Sequence, residues 1–219
     1  IDHNHIVDSV VEIRFNPTTK SNFFINLLSA IGQEMPNSEY VPNDIPKQLR
    51  ETDPQLKFQV EGSLRNNEFL VGIGNYSILF NCRNGYKTWG EFFPFISRTL
   101  DVISKLNIVG QVVRVGVRFT NFFEGNNDRQ SILKLHLQIG QMESKGNQFA
   151  IRSSSPPGTN LGYNISIANP ANLVFDGSMR LGTLVDIDAF ADKDLPKGIN
   201  GELLKKIEFV HQMEKEMFF

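Results

Sequence analysis

Residues 69–123 read FLVGIGNYSILFNCRNGYKTWGEFFPFISRTLDVISKLNIVGQVVRVGVRFTNFF, and this stretch decides the fold class. Two short β-prone runs, about Glu68 to Ile73 and Tyr76 to Cys82, flank the turn step Gly74-Asn75, as in an antiparallel hairpin. Thr88-Trp89-Gly90-Glu91 then fits a capping box, and Trp89, Phe92, Phe93, Ile96, Leu100 and Ile103 form one apolar stripe at helical spacing. Pro94 lies beyond a first turn, where it removes a backbone hydrogen bond, so the regular helix is expected to start nearer Glu91. From Val113 to Phe119 strict alternation puts Val113, Val115, Val117 and Phe119 on one face and Arg114, Gly116 and Arg118 on the other. One face reads as core. The other carries cations around a glycine that would leave backbone bare for the approach of a ligand or another chain.

Working outward, Ser9 to Phe15 alternates in the same way, with Val11, Ile13 and Phe15 opposite Glu12 and Arg14. Ser21 can cap a helix to about Gly32 carrying Phe24, Ile25, Leu27, Leu28 and Ile31. Residues 34–55 hold Pro36, Pro42, Pro46 and Pro54 and read as a long connecting loop able to cover a site. Further strands are expected near Leu56 to Val60, Ile132 to Gln138, Gln148 to Arg152, Gly162 to Ala168 and Leu181 to Asp188. A last helix from about Asn200 carries Leu203, Leu204, Ile207, Val210, Met213 and Met217. The expectation is an α+β chain, with largely antiparallel sheet packed by about three helices. It is read as one domain over 1–219, or as two similar meander-helix halves dividing near 124–131; no sequence identity between the halves supports the second reading.

The chain has 219 residues, a formal charge of −2 and one cysteine, Cys82. A domain of that size buries about 70% of its unfolded surface and folds without staples. Near-neutral charge provides no global field for nonspecific nucleic-acid binding. A lone cysteine makes no internal disulfide and suits a reducing compartment, and no apolar run reaches the ~18 residues of a membrane span, so a cytoplasmic chain without a membrane contact is expected. Eighteen phenylalanines against one tryptophan and four tyrosines favour packing over base or sugar stacking.

The order VVEIRF (10–15), Tyr86-Lys87-Thr88-Trp89 opening a helix, RVGVRFTN (114–121), VDID (185–188) and a final helix with His211 resembles a sporadically distributed bacterial family of uncharacterised proteins. The resemblance covers most of the chain, although Val117 and Phe119 stand where the family pattern has leucine and tyrosine. It implies a bacterial α+β protein and carries over no established activity or catalytic residue.

The best candidate site joins Glu12, Arg14, Arg114, Arg118, Asp186 and Asp188, whose signs are complementary. On an open sheet face they would be ordinary cross-strand ion pairs worth a few tenths of a kcal/mol each. Enclosed under 34–55 they would form a polar pocket. Asp186-x-Asp188 with Glu12 could hold a divalent metal for phosphodiester hydrolysis, but neighbouring arginines oppose a cation site unless they bind the phosphate. No metal or cofactor is assigned. Asp2-His3-Asn4-His5 suits adventitious zinc, His136 and His211 read as structural or surface histidines, and Ser153, Ser154 and Ser155 lie in no nucleophile elbow. Asn126, Asn127 and Asp128 read as turn. The leading expectation is therefore a noncatalytic binding or assembly module with a protein partner or a second copy, paired through an edge strand or the last helix. The alternatives are a metal-dependent phosphodiester hydrolase and a small-anion or nucleotide sensor using Arg114 and Arg118.

Overall fold

The alternating segments become the long strands of one antiparallel sheet. A computed structural model describes residues 5–18, 23–125, 138–139, 142–143, 148–156, 158–175 and 177–218. The strands are β1 (Ile6–Pro17), β2 (Glu39–Pro42), β3 (Gly62–Arg65), β4 (Phe69–Ile73), β5 (Ser77–Cys82), β6 (Val109–Glu124), β7 (Gln138–Ile139), β8 (Met142–Glu143), β9 (Phe149–Ser154), β10 (Leu161–Phe175) and β11 (Ser178–Ala191). The helices are α1 (Phe23–Glu34), α2 (Lys47–Thr52), α3 (Trp89–Lys105) and α4 (Gly201–Phe218). Nine strands form one sheet in the order β2-β3-β4-β5-β1-β6-β11-β10-β9, and β7 and β8 pair separately. The fold is thus α+β with a strand-dominated antiparallel sheet.

The central pair is β1 with β6. Val11 faces Val117, Glu12 faces Gly116 and Ile13 faces Val115, so VEIRF and VGVRF run past each other symmetrically about the Glu12–Gly116 step. Each strand then pairs outward with the last strand of a meander, β5 beside β1 and β11 beside β6.

Val11, Ile13, Phe15, Val115, Val117 and Ala189 are fully or nearly fully buried beneath Leu27 and Ile31 of α1, Phe92 and Ile96 of α3, and Leu203, Ile207 and Val210 of α4. These helices therefore cover the same face. Burying a side chain such as Phe92 stabilises the fold by roughly 1.5–3 kcal/mol. Phe69 and Phe95 stack with ring centroids 4.1 Å apart at the meander-helix junction.

Several expectations change. Helix α3 begins at Trp89 rather than near Glu91, because the capping box forms: the Thr88 amide donates to a Glu91 carboxylate oxygen at 3.1 Å. Pro94 stays inside the helix; the carbonyl it would have paired belongs to exposed Gly90, where water can serve it. The 34–55 loop contains β2 and α2, and β2 lies at the sheet edge on β3, away from the charged strands. Leu56 to Val60 is no strand: Asp53 caps a single 3-10 turn at Pro54–Leu56 by accepting from the Gln55 amide, and pairing resumes only at Gly62. Met213 and Met217 of α4 pack half-buried against the chain's own core and leave no open methionine stripe. Asp2, His3, Asn4, Ser21, residues 126–128, the expected strand up to 137 and His136 lie outside the described residues.

Candidate functional site

All six charged candidates meet on the face of the sheet opposite the three long helices. Arg14 and Arg114 are direct cross-strand partners, a like-charge contact that would be unfavourable alone. Glu12 resolves it: its Oε2 accepts from Arg14 Nε at 2.8 Å and from Arg114 Nη1 at 2.7 Å. Arg114 Nη2 donates to both oxygens of Asp188, at 2.9 and 2.8 Å, and Asn164 Nδ2 adds a third bond to that carboxylate at 3.1 Å. Arg118 grips Asp186 through Nε at 2.7 Å and Nη2 at 3.0 Å, and Thr120 Oγ1 donates to the same carboxylate at 2.9 Å. The Asp186 hydrogen bond raises the pKa of Arg118. Three acids and three arginines cancel in charge.

Gly116 explains how Arg114 reaches so far. A Cβ there would lie 2.3 Å from Arg114 Nη1, so the guanidinium lies across the glycine backbone on its way to Asp188. The bare patch expected between the arginines is therefore filled by Arg114 itself. Phe190 stacks against the same guanidinium, with Arg114 Cζ 4.7 Å from its ring centroid. Arg114, Glu12 and Asp188 are correspondingly sheltered, whereas the Arg118 side chain is 49% exposed. The cover at the other end is Phe58, whose ring lies 4.8 Å from Arg14 Cζ. It comes from the segment after α2, not from 34–55.

A second site escaped the sequence reading. On the helix side, a cavity of about 350 Å³ opens between the start of α3, the end of α4 and the middle of the sheet. His211 stacks on Trp89 with centroids 3.7 Å apart and planes 3° from parallel, and Tyr86 meets Phe119 edge to face at 5.1 Å. Glu214 lines this cavity and is 3% exposed; Asn121 lines it and is 4% exposed. Burial pushes the Glu214 carboxyl up to about 8 and, helped by Lys215, the His211 imidazole down to about 4. Burial also raises the Tyr86 hydroxyl, so it stays protonated. Cys82, an expected small hydrophobe, is buried, with its thiol pKa raised by burial.

The signal for this cavity was present in the periodicity. Glu214 continues the buried series Leu203, Ile207 and Val210 at helical spacing, and Asn121 stands between Phe119 and Phe123 on the core-facing row of β6. Among the described residues, no cluster of three or more His, Cys, Asp or Glu side chains could hold a metal ion, and no helix is long and apolar enough to cross a membrane. No protein-family model matches this chain, and no curated protein does either.

Proposed function

We propose that this chain is a noncatalytic binding and assembly module that pairs with a second copy of itself. The carrying observation is the end of the β10–β11 hairpin. The core-facing row of β11, Ile187, Val185 and Thr183, continues as Leu181 and Met179, which are 41% and 73% exposed, and cross-strand Val174 is 68% exposed. Residues 171–175 and 178–181 extend beyond the last strand pairings to β6 and β9, at Gly182 and Asn169. An apolar row that leaves the helix layer with no cover from the described residues favours burial against a like surface.

The charged ladder supports the same noncatalytic reading, because each candidate metal-binding carboxylate already holds an arginine, and Arg114 already holds two carboxylates. A phosphodiester hydrolase would have to break those pairs before binding a metal, and an anion sensor would have to displace Glu12 and Asp188. Sedimentation over a concentration series tests the assembly reading. The expected result is a dimer whose dissociation constant rises at least tenfold in Met179→Glu and Val174→Glu, with the monomer fold retained. A wild-type chain that stays monomeric up to about 100 μM, well above the range of specific homodimers, would reject it.

A further inference from the structure

The cavity beside α4 carries a site independent of the hairpin. Neither Glu214 nor Asn121 has a side-chain hydrogen-bond partner among the described residues, although both are more than nine-tenths buried. Among the described residues, the indole N–H of Trp89, which lines the same cavity, is a fully buried donor without a partner. An unmet buried polar group costs about 1–3 kcal/mol, and nearly all such groups in folded proteins are satisfied. Trp89, Glu214 and Asn121 thus bring an unmet donor, an acid and an amide to one aromatic-walled cavity, a set suited to a polar ligand. Tyr86, Trp89, Phe119, Phe123 and Phe218 form the walls. Ring faces attract cations, most strongly where water is excluded. The deep polar group is an acid, while the one lysine, Lys215, is exposed and makes no ion pair with Glu214. The volume falls at the small end of ligand pockets.

We infer that this cavity binds a small organic amine as its ammonium ion, with Glu214 as counter-charge, the rings as walls and Asn121 as a further hydrogen-bonding group. Among the described residues, the titratable groups that line the cavity with Glu214 are Tyr86 from the segment before α3, His5 beside β1, and His211 and Lys215 on α4. Tyr86 stays neutral, and so does His211 above about pH 4. Without a cation beside it, Glu214 holds its proton up to about pH 8. An ammonium ion stabilises the carboxylate, so binding releases that proton. Affinity then rises with pH, by about tenfold per unit from pH 6 to 7.5, and levels near 8.

Calorimetric titration of the whole chain with phenethylamine, phenethyl alcohol and 3-phenylpropionate tests this. Phenethylamine should bind at pH 7.5 at least tenfold more tightly than the alcohol or the acid, with the stated pH dependence. Glu214→Gln, which removes a buried ionisable group and should fold, should lose at least tenfold in amine affinity. Equal binding of alcohol and amine, preference for the acid, no dependence on pH, or no amine binding at about 5 mM, near the weak limit of specific recognition, would each overturn the inference. The comparison of amine and alcohol on the unmodified chain decides the matter even if the variant does not fold. Its failure would leave the self-assembly reading untouched, since the two rest on different residues.

Discussion

Replacing Glu214 by Gln should change how the stability of this protein depends on pH. A carboxyl whose folded pKa lies above its unfolded value keeps its stabilising contribution at low pH and loses it as pH rises. For Glu214 that window runs from about 4.5 to about 8. At about 1.4 kcal/mol per unit, its full span is at most about 5 kcal/mol. His211 acts in the opposite sense: its folded pKa of about 4 lies below the ordinary 6.5, so its contribution is present at higher pH and lost as pH falls through that interval. The two slopes cancel between about pH 4.5 and 6.5. Of the two, Glu214 alone titrates from 6.5 to 8, where the wild-type chain should lose about 2 kcal/mol more than the Gln variant. Urea unfolding at pH 6.5, 7, 7.5 and 8 reads this directly, and groups common to both chains drop out of the difference. Parallel stability curves for the two chains over that range would refute the assignment of a protonated, desolvated carboxyl.

Arg114→Met should cost about 3 kcal/mol in denaturant unfolding, because it leaves Glu12 and Asp188 sheltered without their main partner. Arg118→Met removes a half-exposed side chain and should cost less than about 1 kcal/mol, so equal losses would contradict the different burial of the two arginines. Gly116→Ala forces the Arg114 guanidinium off its path to Asp188 and should destabilise by about 1–3 kcal/mol. In a double-mutant cycle with Arg114→Met most of that loss should vanish; strict additivity would mean that the glycine serves something else.

The elements with strong period were legible in the chain. Val11, Ile13 and Phe15, and Val115, Val117 and Phe119, announced two strands with one apolar face each, and those faces meet in register at the centre of the sheet. The capping box fixed the start of α3 more firmly than the proline could disturb it. Residues 34–65 were harder, because a four-residue edge strand and a six-residue helix are too short to show a period, and their prolines signal only breaks. The charged residues announced themselves by alternation, but their partners did not. Which acid Arg114 chooses depends on a glycine two residues away and on a ring, Phe190, carried by the neighbouring strand. The cavity was hidden for a different reason. Glu214 and Asn121 interrupt apolar series by one residue each, and a single polar residue in such a series reads as a boundary or an exposed position until its neighbours are known.

The symmetric meeting of β1 and β6 bears on which strands may pair at all. Two copies of β1 brought together in that same register would set Glu12 opposite Glu12, and two copies of β6 would set Gly116 opposite Gly116. The first is repulsive, and the second leaves two glycines with no side chains to pack. Only the mixed pair puts the acid across from the glycine, with room above it for Arg114 to cross and close both carboxylates. The exchange of Glu12 for Gly116 between two otherwise similar pentapeptides thus favours the pairing of β1 with β6 over the pairing of either strand with a copy of itself.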